Sequence, residues 1–241
     1  MYIIFDTETT GLPKRWDAPI TDTDNWPRCI QLAWQIHDEM GNLVEHHDFL
    51  IKPDGFDIPY DSEKIHGIST ALAEEQGLPL QEVLEKFNVA LNKAKFVVGQ
   101  NIGFDLNIMG CEFYRYGVTS NMANMPVLDT CTEVTAELLK IPGGRGGRFK
   151  LPNLTELHSY LFGVPFAEAH NATADVEATT RCFLELVRRE VFTAEELQVD
   201  TGYFVDFKTN NPGPIPTVGL KHINLKAASD EIRKRSQPDE V

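Results

Sequence analysis

The sequence predicts an α/β protein with a mixed five-stranded sheet flanked by helices. Strands with a short connection come first, and later strands alternate with helices, which is typical of a mixed sheet. The 241 residues are 42% hydrophobic and 24% charged, the composition of an ordinary globular protein with a packed core.

Three strands are expected in the first fifth of the chain. Residues 1–9 run from β-branched and aromatic residues into polar ones, as a buried strand does where it leaves the sheet. A second strand fits residues 29–37, and a third fits 43–51, after the turn signal at residues 40–42. Because this connection is short, we expect the second and third strands to pair antiparallel.

Helices and strands alternate in the next part of the chain. Residues 79–94 begin with a proline in the first turn and carry apolar side chains at helical spacing: Leu80, Val83, Leu84, Phe87 and Leu91. Residues 95–99 form a short buried strand that leads into a helix at 104–116. The remaining elements are a strand at 127–131 and helices at 133–139, 154–162 and 172–190.

The hydrophobic pattern loosens after residue 192. We therefore predict a domain at 1–192 and a C-terminal extension at 193–241 that is partly linker-like. Residues 210–216 are rich in proline and indicate a linker or an irregular surface segment, and the charged residues 231–241 indicate a solvated end.

Charge and apolar runs limit the classes of partner. The net charge of −14 argues against a basic face for duplex nucleic acid, but an acidic protein can bind phosphate through divalent cations. No apolar run approaches the ~18 residues of a membrane span, and no basic residue precedes the first run as in a signal peptide. We therefore expect a cytoplasmic protein with no membrane partner.

Five residues at the ends of predicted elements are candidates for a functional site, and each also has a purely structural interpretation. Asp6 and Glu8 alternate along the first strand and share one face, or they are solvated acids at an exposed strand end. Asp105 follows a buried strand, where α/β sheets place ligand sites, or it caps the next helix. His170 and Asp175 lie at the entry to the last long helix, where a surface or capping histidine and an ordinary first-turn acid are also expected.

Together, these segments resemble a known set of motifs. F-D-T-E-T-T-G near the N-terminus is followed by N-x-x-F-D about 95 residues later and by H-x-A-x-x-D about 65 residues further on. They are similar to the three motifs of the DEDDh exonuclease family, whose members include the proofreading epsilon subunit of bacterial DNA polymerase III. The resemblance spans roughly residues 1–190. It implies an RNase H-like fold, two divalent metal ions and removal of nucleotides from a 3′ end.

The resemblance also implies a role for nine residues. The metal carboxylates would be Asp6, Glu8, Asp105 and Asp175, and the general base would be His170. The pocket for the terminal nucleotide would be lined by Thr9, Gly11, His66 and Phe104.

The chemistry of the acidic residues agrees with this implication. Four carboxylates within ~4 Å of one another would repel by about 4 kcal/mol per pair at an effective dielectric constant near 20, so the cluster needs cations. Oxygen ligands favour two Mg²⁺ or Mn²⁺ ions, of which one activates water and the other stabilises the departing 3′ oxygen. A neutral histidine can accept the proton of that water. The expected products are nucleoside 5′-monophosphates.

Substrate and partner stay open at this point. DNA proofreading is favoured over RNA trimming, although RNA-directed relatives share the same five site residues. The linker-like end also resembles an exonuclease that continues into, or docks on, a DNA polymerase subunit or domain. The alternatives are a catalytically idle interaction module and, less favoured, an aspartate phosphatase, which would need D-x-D instead of D-x-E.

Two further segments have two interpretations each. Arg145, Arg148 and Lys150 either offer the phosphate backbone a positive arm or only improve solubility. The polar insert at 13–28, which contains Trp16 and Trp26, either forms one wall of the substrate groove or packs on the sheet.

Overall fold

A single mixed sheet forms the centre of the molecule. A computed structural model describes residues 1–166, 171–221 and 223–236. The strands are β1 (Tyr2–Thr9), β2 (Cys29–His37), β3 (Leu43–Leu50), β4 (Phe96–Gly99) and β5 (Val127–Asp129), in the order β3-β2-β1-β4-β5. β1 pairs antiparallel with β2, and β2 with β3, whereas β4 is parallel to both β1 and β5. The predicted five-stranded mixed sheet and the antiparallel second and third strands are confirmed.

Helices cover both faces of the sheet. They are α1 (Tyr60–His66), α2 (Thr70–Gln76), α3 (Leu80–Leu91), α4 (Gly103–Arg115), α5 (Glu133–Leu139), α6 (Leu154–Phe162), α7 (Ala172–Arg188), α8 (Ala194–Leu197), α9 (Tyr203–Asn210) and α10 (Leu225–Ser236). The expected helices correspond to α3 to α7. The sequence does not predict α1 and α2, because seven residues are too few to show helical periodicity. None of the helices in the described part of the chain has the length and hydrophobicity needed to cross a bilayer.

The central strand β1 contributes to two separate cores. Ile3 and Phe5 pack with residues of α3 and α4, whereas Tyr2 and Ile4 pack with residues of α7 and α9 on the other face. Because side chains alternate along a strand, Asp6 and Glu8 follow Tyr2 and Ile4 onto the α7 face, and the residue between them faces α4.

The C-terminal extension packs against the residues before it. Phe207 of α9 and Ile215 are buried in the same core as α7. Ile215 also lies in the irregular proline-rich stretch, where its amide donates a hydrogen bond to Glu185. The solvated end expected from residue 231 onward is wrong for its first residues, because Ile232 of α10 is buried against α2. The domain boundary at residue 192 stays a prediction.

Candidate active site

Three carboxylates meet at the end of β1. Asp6 and Glu8 project from β1, and Asp175 lies in the first turn of α7, the helix packed on the same face. One oxygen of each carboxylate lies within 4.8 Å of the others. All three residues are half-buried, so these oxygens are only partly solvated.

The electrostatics of this cluster favour cations. Two carboxylate charges at that separation repel by at least about 3.5 kcal/mol at an effective dielectric constant of about 20. Burial, followed by repulsion from Asp105, Asp175 and Glu8, holds the pKa of the Asp6 carboxyl well above its usual range. Burial, followed by repulsion from Asp175 and Asp105, also holds the pKa of the Glu8 carboxyl well above its usual range. These closely spaced carboxylates repel one another when they are charged and no cation is bound. Their oxygen atoms fit a hard divalent cation such as Mg²⁺ or Mn²⁺.

Asp105 approaches the cluster from the opposite side of the sheet. It lies in the first turn of α4 and is 5% exposed. Thr7, between the two acids of β1, donates hydrogen bonds from its amide (3.0 Å) and its hydroxyl (2.6 Å) to Oδ1 of Asp105. Burial raises the pKa of Asp105 to about 7, although the Thr7 bonds act in the opposite direction. Both of these hydrogen bonds use the same oxygen, Oδ1.

Asp129 positions the loop before α4. Its Oδ1 accepts hydrogen bonds from the amides of Asn101 and Cys131 at 2.8 Å, and its Oδ2 accepts one from the amide of Ile102. Asn101 has a φ of 57°, a left-handed conformation that is uncommon outside glycine. The Asp129 carboxylate at the end of β5 therefore fixes the turn from which α4 begins, and with it the position of Asp105.

A glutamine of β2 holds the start of α7. Gln31 is the register partner of Glu8, and its Oε1 accepts a hydrogen bond from the amide of Ala172 at 3.2 Å. Its Nε2 donates to Asp48 of β3 at 2.8 Å. The N-terminus of α7, and with it Asp175, is thereby tied to the strand next to β1. His170, the predicted general base, lies outside the described residues.

The four residues predicted to bind the terminal nucleotide lie in β1, in the loop after it, in α1 and in α4. The Thr9 hydroxyl donates to the carbonyl of Gly11 at 2.7 Å, and Gly11 has a φ of 147°, which favours glycine. A side chain at Gly11 would face α1, with Ser62 Oγ 3.9 Å from the added Cβ. His66, the last residue of α1, is buried, and its Nδ1 accepts the amide of Ile68. The binding roles of these residues stay predictions.

An open cavity of about 470 Å³ joins the acids to further polar residues. Asp6, Asp105, Asp175 and Phe104 line it, together with residues for which the sequence predicts no role: Thr7, Gln100, Asn101, Asn153, Leu154, Thr155 and Phe166. Asn153 is also the N-cap of α6, where its side chain accepts the Glu156 amide. An N-x-x-E capping pattern was visible in the sequence, but it does not show that this helix begins at the cavity.

The three cations of the glycine-rich loop are not equivalent. Arg148 pairs with Glu133, and Lys150 pairs with Glu156 at 2.6 Å. Within the described ranges, only Arg145 of the three has no carboxylate partner. The Arg148 and Lys150 pairs are largely solvent-exposed and therefore weak, so the role of these cations as a positive arm stays a prediction.

Comparison with known proteins identifies the family. The model of the RNase T exonuclease family matches residues 3–183, about three quarters of the chain. The chain belongs to this exonuclease family. The matched residues contain all four acidic residues of the site.

Relatives of this exonuclease domain include much longer polymerases. It is 29% identical over 186 residues to DNA polymerase III PolC-type of Pediococcus pentosaceus, covering 77% of this chain and 11% of the polymerase. It is 28% identical over 237 residues to the PolC-type enzyme of Streptococcus thermophilus, covering 98% of this chain and 13% of the polymerase. The chain thus spans about an eighth of the length of these relatives or less.

Solved exonucleases share the fold. Escherichia coli exonuclease I in complex with a dA16 oligonucleotide superimposes with a TM-score of 0.60 at 21% identity, over 82% of this chain and 42% of that one. Exonuclease I of Methylocaldum szegediense gives a TM-score of 0.57 at 25% identity, over 78% of this chain and 40% of that one. The predicted RNase H-like architecture is confirmed by these neighbours.

Proposed function

We propose that this exonuclease domain is a divalent-metal-dependent 3′–5′ exonuclease that releases nucleoside 5′-monophosphates from DNA. The observation that carries the proposal is the convergence of Asp6, Glu8 and Asp175 within 4.8 Å, with Asp105 lining the same cavity. Such a cluster is expected in a site that binds a phosphodiester through cations and not in an idle module, which has no need to hold repelling carboxylates together.

Four residues would hold the ions. Asp6, Glu8 and Asp175 offer oxygens from the α7 face, and Asp105 offers Oδ2 from the α4 face. Bound Mg²⁺ or Mn²⁺ would neutralise these charges and polarise the scissile phosphate.

The chain's own groups would carry out the remaining tasks. Thr7 and Gln31 keep the acids in place, and the pocket at Thr9, Gly11, His66 and Phe104 would orient the terminal nucleotide. Hydrolysis adds water across the P–O3′ bond: a hydroxyl joins phosphorus, the bond to the 3′ oxygen breaks, and that oxygen gains a proton. His170, by its position in the third motif, would accept the proton of the attacking water.

DNA and a polymerase are the favoured substrate and partner. The relatives are DNA polymerases of the PolC type, and the neighbouring exonuclease I structures carry DNA oligonucleotides. We therefore propose a proofreading role, in which the domain removes nucleotides from the growing 3′ end as part of a DNA polymerase or docked on one. RNA-directed trimming is the alternative.

The direct test is a digest of single-stranded DNA and RNA carrying either a 3′ or a 5′ label, in Mg²⁺, Mn²⁺ or EDTA. We expect immediate release of a 5′-mononucleotide from the 3′-labelled DNA and a ladder of shortening products from the 5′-labelled DNA. EDTA should stop both reactions. The Asp6→Ala variant should release no nucleotide, and His170→Ala should lose at least ~100-fold in rate if its role is proton transfer.

A matched control separates catalysis from a change in surface charge. Glu74 is an exposed acid of α2, and Glu74→Gln should digest DNA at the wild-type rate. Faster digestion of RNA than DNA would favour the trimming alternative. Undiminished activity in EDTA would overturn the metal mechanism, and internal cleavage or release from the 5′ end would overturn the polarity.

A further inference from the structure

The insert between β1 and β2 is an ordered structure. Asn25 is 5% exposed, and its side chain accepts the amide of Arg15 (2.8 Å) and donates to the carbonyl of the same residue (2.9 Å). The carbonyl of Asn25 accepts the amide of Lys14 at 3.1 Å. These bonds fix the backbone immediately before Trp16.

The insert is also attached to the helix that carries Asp105. Arg115, at the end of α4, donates to the carbonyls of Thr23 and Trp26. Ile20 packs along the same helix at Gly110, where an added Cβ would lie 3.4 Å from its side chain. The insert and α4 therefore hold each other in one arrangement.

This ordered insert exposes one large aromatic side chain beside the cavity. Trp16 is 61% exposed, whereas Trp26 and Trp34, the other two tryptophans of the chain, are 3% and 1% exposed. The Trp16 ring centroid lies 5.8 Å from that of Phe104, at an interplanar angle of 53°. Phe104 lines the acidic cavity, so the Trp16 indole lies at its edge.

The surroundings of Trp16 fit a nucleic-acid strand. Lys14 is exposed and has no carboxylate partner among the residues that the structure describes. The exposed Arg15 guanidinium lies 3.6 Å from the even more exposed carboxylate of Asp17, and such a pair is weak. Exposed cations beside an exposed aromatic ring form the combination that binds single strands, through the phosphates and by stacking on the bases.

We propose that Trp16 is a base-stacking residue that contacts a nucleobase of the substrate near its 3′ end, next to the position held by Phe104. This inference rests on the proposed exonuclease function and adds a contact outside the three motifs. Because every base has a π-face, the contact would tighten binding without selecting a sequence.

The test is an abasic scan. Trp16→Ala is compared with the wild type on a single-stranded DNA and on matched strands that carry a stable abasic residue at the terminal, penultimate or third position. On ordinary DNA we expect Trp16→Ala to lower kcat/KM by about 5- to 150-fold, which corresponds to the 1–3 kcal/mol of a base–aromatic stack. On one of the abasic strands wild type and variant should be equal, and Trp16→Phe should recover most of the loss.

Tyr114 provides the matched control. It is an exposed aromatic residue of α4, nine residues after Asp105, and it is not among the residues that line the cavity. Tyr114→Ala should therefore keep wild-type activity on every strand. Unchanged kcat/KM in Trp16→Ala, or an equal loss on all the abasic strands, would overturn the stacking contact while the exonuclease function stands. A wild type that degrades no strand would overturn both.

Fluorescence offers a second readout that does not depend on turnover. Because the other two tryptophans are buried, a change in indole emission upon adding oligothymidylate to an Asp6→Asn variant would report on Trp16. We expect quenching that disappears in Asp6→Asn/Trp16→Phe, while the anisotropy of a labelled strand still shows binding. Equal quenching in both proteins would contradict the proposal.

Discussion

Thr7 donates two hydrogen bonds to one oxygen of Asp105, across 98 positions of sequence. The two residues come from β1 and α4, and the contact joins the α4 face of the sheet to the strand that bears Asp6 and Glu8. Thr7 therefore positions the one acid that approaches the cluster from the opposite face.

Replacing Thr7 by valine should weaken the site without unfolding the protein. Valine matches threonine in shape but cannot donate to Oδ1, so Asp105 loses its 2.6 Å hydrogen bond. We expect about a 10- to 100-fold loss in metal affinity or in activity, the usual effect of removing a residue that orients a ligand. Mn²⁺ titration and nucleotide release measure the two effects. Thr7→Ser should restore both, and full activity in Thr7→Val would contradict the positioning role.

Gln31 should be important for both stability and activity. Gln31→Leu leaves the buried amide of Ala172 without its acceptor, which should lower the free energy of unfolding by about 1–3 kcal/mol. Because that amide begins α7, the position of Asp175 should loosen and nucleotide release should slow. Urea denaturation and the digest measure these changes. Gln81→Leu, on the exposed side of α3, is the control, and equal stability of the two variants would argue against the anchor.

The C-terminal helix should influence the predicted nucleotide pocket through Ser229. The buried hydroxyl of Ser229 donates to the carbonyl of Gly67 (2.7 Å) and accepts the amide of Ser69 (3.0 Å), just after His66. Ser229→Ala leaves both groups unpaired, so we expect a loss of about 1–3 kcal/mol in stability. We also expect KM to rise more than kcat falls, since the change lies beside the pocket and away from the acids. Lys234→Ala, on the exposed side of α10, should change neither value.

Glu185 should make stability depend on pH. Burial alone would raise the pKa of this carboxyl, but hydrogen bonds from Arg188, Arg189 and the Ile215 amide outweigh it and lower the pKa below the usual value. A lowered folded-state pKa means that the stabilisation is present above the unfolded-state value, near pH 4.5, and is lost as the pH falls through the folded-state value.

The Glu185→Gln variant tests this sign. Its free energy of unfolding at neutral pH should be about 2 kcal/mol lower than that of the wild type, as expected from the loss of hydrogen bonds to a charged group. The difference from the wild type should shrink below about pH 4.5. A difference that grows toward acid pH would mean that the ion pairs do not control the stability of this part of the chain.

Local pattern was sufficient for most of the fold. Alternating and helical periodicities placed all five strands and the helices α3 to α7, because each of these elements shows its own buried face in sequence. The short helices α1 and α2 were missed, since one or two turns show too little periodicity. The sequence predicts a solvated end from residue 231 onward and does not indicate α10, because the three buried residues of this helix, Leu225, Ser229 and Ile232, are a weak signal among charged neighbours.

The candidate site divides in the same way. The sequence by itself determined which acids to consider, since motif order and spacing are properties of the chain. It also placed Asp6 and Glu8 on one face, because strand alternation is local.

Only the tertiary structure decided how the remaining residues reach them. Asp175 joins from the α7 face and Asp105 from the α4 face. Thr7, Gln31 and Asp129 position these elements through hydrogen bonds to residues 27 to 141 positions away. Such partners share no local period, so nothing in the order of residues predicts them. These hydrogen bonds form because the mixed sheet brings the carboxyl ends of β1 and β5 and the start of β2 to the same side of the molecule. Polar groups that are shielded from water there must bond to one another.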